Sequence, residues 1–188
     1  LMKRISVASH DPSPRFHQWF PEKVNNKDTV NYILDNGWNK PRDIVRLLIA
    51  AQHDSLHCND TAFTQAAFDS LRKEYSKNSL TEIRQELQSL YSSEEIEMVV
   101  RLLRGGPRFT TAEEIRKQTI KGSRVRAFWD ERQDDILEDF YRVGFWGNVN
   151  RSNAQYLWRW NHKGDTGVLY GNGWELAIHP ALCLSLIH

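Results

Sequence analysis

Apolar residues in 39-NKPRDIVRLLIAAQ-52 recur at helical spacing, with Ile44, Leu47, Leu48 and Ala51 on one face. Pro41 stands at the first helical position, where a missing N–H leaves nothing unsatisfied, and Asn39 or Lys40 stands at the N-cap. Just ahead, the pattern is helical from Asp28. Val30, Ile33 and Leu34 share a face, and Asn36-Gly37 supply the stop. Residues 10–28 hold three prolines and few periodic apolar positions, which predicts a loop. Phe63, Ala67, Phe68, Leu71 and Tyr75 predict a helix over 63–78. Ser79 with Glu82 then reads as a capping box that opens a separate helix through Ile83, Leu87 and Leu90.

From Ser92 the pattern repeats with different punctuation. Ser92 and Glu95 form a capping box ahead of Ile96, Val99, Val100 and Leu103, and Gly105-Gly106-Pro107 end that helix. Thr111 with Glu114 opens a short helix through Ile115. Gly122-Ser123 break the chain again before a long helix over about 124–141, whose stripe is Val125, Phe128, Trp129, Ile136, Leu137 and Phe140. The period then changes. Residues 143–149 and 156–162 read as strands, Lys163-Gly164-Asp165 as a turn, 166–174 as a glycine-rich connection and 175–178 as a third strand, with a short helix from Pro180. Three helices followed by a β-hairpin is the order of a winged helix, with the third helix as recognition element and the hairpin as wing. The expected fold class is therefore mainly α (α+β), with an N-terminal helical bundle over 1–91 and a winged helix-turn-helix domain over 92–188.

Composition narrows the classes. The 188 residues carry 40% hydrophobic and 26% charged side chains, as a globular protein does, and no apolar run approaches the ~20 residues of a membrane span. Cys58 and Cys183 are too few and too far apart for a disulfide framework, so the expectation is a reduced, cytoplasmic protein with no membrane partner. The opening 1-LMKRISVASHDPSP-14 lacks the apolar core of a signal peptide. Leu1 is no natural initiator, and the expectation is a chain that begins partway through a larger protein. Net charge is +1, which argues against a surface that grips nucleic acid all over and leaves room for a local patch.

That patch is 116-RKQTIKGSRVR-126, where Arg116, Lys117, Lys121, Arg124 and Arg126 occur without an intervening acid. In a winged helix this segment spans the turn and the start of the recognition helix, so these five are the candidate nucleic-acid contacts. The competing reading is a solvated charge run, and the acids Asp134, Asp135, Glu138 and Asp139 further along the same helix would repel DNA. His53, His57 and Cys58, with Asp54 or Asp60, have a spacing that can bind zinc, although a polar helix end explains them better. Seven tryptophans, five of them in the last 60 residues, give the C-terminal part its own texture, and core packing is the leading explanation. No phosphate-binding loop, nucleophile elbow or zincin motif occurs, so no catalytic residue and no cofactor is assigned to this chain.

Four segments, 32-YILDNGWNKPRDIVRLL-48, 75-YSKNSLTEIRQEL-87, 138-EDFYRVGFWGNV-149 and 178-IHPAL-182, carry a resemblance in this order. The chain resembles the C-terminal half, helical lid plus winged helix, of a bacterial FunZ-type P-loop ATPase related to AAA+ and STAND proteins, often found in defence-related contexts. The resemblance implies that Arg42, at the start of a lid helix, reaches nucleotide phosphates, and that Arg46 assists it or holds Asp43 or a neighbouring carboxylate. A guanidinium suits that task because it is permanently charged and bidentate. The implied cofactors of the parent are ATP and magnesium. The implied partners are the ATPase core, DNA, a second copy of the chain or a defence effector protein. The alternatives are a protein-interaction, autoinhibitory or oligomerisation module, and a standalone winged-helix transcription regulator.

Overall fold

The computed structural model describes residues 15–52, 62–151, 156–165, 167–169 and 173–187, with nothing stated for the side chain of Leu71. It divides into two compact units, Leu1–Arg72 and Lys73–His188. The division lies inside one helix, whereas the sequence pattern places the boundary after residue 91.

In the first unit a 3-10 turn, Phe16–Gln18, precedes a two-stranded hairpin, β1 (Lys23–Val24) with β2 (Lys27–Asp28). The hairpin lies within the expected loop. Asn25 and Asn26 form its two-residue turn with φ of 52° and 61°, the left-handed pair that asparagine tolerates best after glycine. Asp28 then caps α1 (Thr29–Asn36) by accepting from Asn31 N–H, a contact worth about 1 kcal/mol. Tyr32 and Ile33 are buried but Val30 is exposed, so the inward face is turned one position from the expected one. On α2 (Pro41–Gln52), Leu47, Leu48 and Ala51 enter the core as the spacing predicts. Phe16, Phe20, Phe63 and Phe68 form a run of stacked rings behind α1, with successive centroids 4.5, 4.8 and 5.9 Å apart.

The helix α3 (Gln65–Leu87) is continuous for 23 residues. The separate helix expected from Ser79 does not exist. Ser79 is 2% exposed in mid-helix, and its hydroxyl has no hydrogen-bond partner among the described residues. Tyr75, Leu80, Ile83 and Leu87 are all buried, so the apolar stripe runs through the supposed boundary without a change of phase.

The second unit continues with α4 (Ser93–Leu103), β3 (Phe109–Thr110), α5 (Ala112–Gln118) and α6 (Arg124–Arg142). It closes with β4 (Trp146–Asn150), β5 (Leu157–Arg159), β6 (Trp174–Ile178), a 3-10 turn Pro180–Leu182 and α7 (Cys183–Leu186). Both expected capping boxes are formed, Ser92 with Glu95 and Thr111 with Glu114. Gly144, with φ 79°, ends α6 and donates to the Tyr141 carbonyl, which delays the strand expected from residue 143 to Trp146. The strand β3, absent from the sequence reading, pairs with β6. The sheet order is β3-β6-β4-β5, antiparallel throughout.

The two faces of this sheet differ. Trp146, Leu176 and Ile178 point toward the helices, where the Trp146 indole donates to the Leu137 carbonyl at 3.0 Å and stacks on Phe140. The opposite face carries Phe109, Ala177 and Gly147 in one row and Trp158, Val149 and Glu175 in the next. Apart from Glu175, the central strands present small side chains there. The rings of Phe109, Trp158 and Trp160 on the outer strands lean inward over them, leaving Ala177 and Val149 fully buried. The molecule is thus mainly helical with two small sheets.

Candidate nucleic-acid interface

The segment 116–126 begins on the last turn of α5, crosses the turn at Gly122 and enters α6 through Ser123, which caps Arg126 N–H. All five candidate cations fall within this one corner of the second unit. Their charges, however, are largely met. Arg116 Nε donates to Asp130 at 2.6 Å and Arg126 Nε to the other oxygen of Asp130 at 2.8 Å. Lys117 pairs with Glu113 at 2.8 Å, one turn back on α5, and Arg124 pairs with Glu94 of α4 at 2.8 Å. Among the described residues Lys121 makes no ion pair; it is exposed at the turn beside Ile120, which is 78% exposed.

Electrostatics follow from this geometry. Two guanidiniums donating to one carboxylate pull the Asp130 acid down from 3.8 to about 2. The hydrogen bonds that Arg116 donates to Asp130 likewise raise Arg116, and the Glu113 contact raises Lys117. Arg126 is the least exposed of the cations. It also donates to the Arg116 carbonyl and to Thr119 Oγ1, so it ties α6 to the end of α5. Arg116, Lys117 and Arg124 are held in exposed pairs, which solvent and salt weaken readily. They therefore remain able to exchange a carboxylate for a phosphate.

The acids further along α6 have structural attachments. Asp139 accepts from the Tyr91 hydroxyl at 2.8 Å, and burial together with this contact raises the Tyr91 phenol. Glu138 accepts from Val168 N–H. Asp134 and Asp135 are exposed.

An open cleft of about 990 Å³ lies beside the corner. Its lining includes Thr111, Glu113 and Arg116 of the α5 region, Gln133 of α6, and Arg151, Tyr156 and Glu175 of the strand region. Arg151 meets Glu175 in a two-pronged pair at 2.5 and 2.7 Å. Arg151, Arg108 and Tyr156 were not among the expected site residues. For Arg108 and Tyr156 the signal lay in rings at every second position of 156-YLWRW-160 and in the adjacent basic and aromatic pair 108-RF-109.

In the first unit Arg42 is exposed on the opening turn of α2, and Arg46 donates to Asp43 at 3.2 Å. Of the two tasks open to Arg46, this is the local one; Asp43 is only 9% exposed and so needs the partner. The residues with zinc-binding spacing, His53, Asp54, His57, Cys58 and Asp60, lie outside the described residues. Among those described, no cluster of three or more His, Cys, Asp or Glu is arranged to hold a metal, and no helix is long and apolar enough to cross a membrane.

Comparison with known proteins adds one finding. No curated protein and no solved structure matches the chain. Residues 1–84, the segment that holds Arg42 and Arg46, match the family model of the FunZ-associated C-terminal helical domain.

Proposed function

We propose that this chain is the regulatory C-terminal region of a P-loop ATPase, in which a helical lid reads nucleotide state and a winged helix binds duplex DNA. The observation that carries the DNA reading is the order of elements in the second unit. Helix α4, strand β3, helices α5 and α6, then β4 and β6, with β3 beside β6 and β6 beside β4, support a winged-helix reading. Strand β5 extends the wing at the sheet edge. In this reading α6 is the recognition helix, and Lys121, Arg124, Arg116 and Lys117 face the phosphates. The match of residues 1–84 to a domain named for its C-terminal, FunZ-associated position supports the lid half of the proposal. In this reading Arg42, which is exposed at the start of α2, contacts the phosphates of ATP bound by a core outside this chain. The chain itself lacks a phosphate-binding loop, so no hydrolytic step is assigned to its residues.

The test is binding of a labelled 20-base-pair duplex by fluorescence anisotropy over a salt series. Affinity should fall steeply with salt, and the double change Lys121→Ala, Arg124→Ala should weaken binding and lower the slope of log K against log salt by about 2. Duplex binding that ignores both salt and these residues would sink the reading. A second reading is supported by the pairing of the basic run with Asp130, Glu113 and Glu94: the unit binds a protein partner or a second copy of itself. A concentration-dependent rise in mass by light scattering, with no duplex binding, would favour it.

A further inference from the structure

We propose that the outward face of the four-stranded sheet, together with the cleft beside it, is a binding surface for single-stranded nucleic acid that shares Arg116 with the α6 surface but does not use Lys121 or Arg124. Several features converge on this face. Trp160, Trp158 and Tyr156 follow one another at every second residue toward the sheet edge, so they share a face. Their exposure rises along the series, from 5% at Trp160 to 55% at Tyr156. Consecutive ring centroids are 6.1 and 6.4 Å apart, and Phe109 adds a ring 5.9 Å from Trp158. Two arginines lie over these rings. Arg151 is 4.6 Å from the Phe109 centroid, and Arg108 is 5.3 Å from Phe109 and 5.5 Å from Trp158.

The charge on this face selects an anion. Arg108 has no carboxylate partner among the described residues, and its Nε is buried without a hydrogen bond. The outer Nη donors of a stacked guanidinium are matched by a phosphate, which accepts two of them at once. Arg151 and Arg116 also line the cleft, Arg151 paired with Glu175 and Arg116 with Asp130, in solvent-accessible ion pairs that a phosphate can enter.

The ring spacing separates a single strand from a duplex. Stacked bases in a duplex advance about 3.4 Å per step and keep their faces hidden. Rings about 6 Å apart accommodate bases only if the strand is extended and the bases are splayed. Alternating rings and arginines are the means by which proteins hold such strands without reading sequence. The carboxylates of Glu113 and Glu175 in the cleft can accept from N–H groups of unpaired bases, the ring N3–H of thymine included.

The experiment uses the whole chain and three fluorescein-labelled probes of equal length: a 20-nucleotide oligothymidylate, a 20-base-pair duplex and a polyglutamate peptide. Anisotropy should report salt-dependent binding of the oligothymidylate, with concurrent quenching of tryptophan fluorescence as bases stack on Trp158. Tyr156→Ala, at an exposed position that leaves the core intact, and Arg108→Gln should each weaken it by roughly tenfold. Lys121→Ala with Arg124→Ala should leave it within about twofold. Absence of oligothymidylate binding, binding that these two changes do not move, or capture of polyglutamate instead would overturn the proposal. Duplex binding is judged separately by its dependence on Lys121 and Arg124, so each of the two readings can fail without the other.

Discussion

The indole of Trp160 lies flat against Gly147 on the neighbouring strand, so close that a Cβ at residue 147 would come within 2.5 Å of two ring atoms and 2.8 Å of the Arg159 carbonyl. No rotation of the ring alone relieves both contacts. Gly147→Ala should therefore destabilise the second unit by about 2 to 3 kcal/mol, through displacement of Trp160 and spreading of β4 from β5. The measurement is urea unfolding followed by tryptophan emission, with an early red shift as Trp160 meets water. An alanine variant of unchanged midpoint would show that the ring is held elsewhere.

Ser79 makes the opposite prediction. Its hydroxyl is buried in mid-helix without a partner among the described residues. Ser79→Ala removes that unmet group and raises helix propensity, so it should stabilise the chain by about 1 kcal/mol. A loss of stability in thermal melts would mean that the hydroxyl has a role which the described contacts omit.

Asp130 sets an acid limb. Its folded pKa lies near 2 against an ordinary 3.8, held down by Arg116 and then Arg126. The pairs it makes are present above pH 4 and are lost as pH falls toward 2. Asp130→Asn should lower the melting temperature at neutral pH and flatten its fall between pH 4 and 2. If duplex binding proceeds through Arg116, the same change should tighten that binding severalfold at constant salt. A variant with an unaltered acid limb would show that Arg116 and Arg126 find other acceptors.

Tyr141 sets an alkaline limb. Burial, then the nearby Asp165 and Glu138, push its phenol up to about 12. The folded state favours the protonated form, so the contribution is intact below pH 10 and is lost as pH rises through 12. Tyr141→Phe should leave neutral stability nearly unchanged and reduce the alkaline loss, read as absorbance at 295 nm against circular dichroism. Tyr91, raised in the same direction by burial and by its bond to Asp139, should respond likewise.

Local signals in the sequence were legible where the contact was local. The boxes Ser92–Glu95 and Thr111–Glu114 involve residues three apart, and both formed. Ser79–Glu82 has the same letters but sits where Tyr75, Leu80, Ile83 and Leu87 sustain one stripe, and packing overrode the capping signal. The strand β3 is two residues long and exists because Ala177 and Leu176 arrive from far along the chain, which no window around Phe109 contains. The basic run was visible as a run. Its neutralisation was not, because Glu94 and Asp130 reach Arg124 and Arg116 only once α4, α5 and α6 have packed. The tryptophans were correctly weighed toward the core for Trp129, Trp146 and Trp160. Register alone reveals that Trp158 and Tyr156 continue that series into solvent.

The single carboxylate shared by Arg116 and Arg126 has a consequence for any anion that approaches this corner. One side chain sets both the packing of α5 on α6 and the charge offered at the surface, so the two are a single thermodynamic variable. A phosphate that draws Arg116 from Asp130 also removes a tie between the helices. Reciprocally, whatever shifts those helices changes the affinity for the phosphate by the same factor.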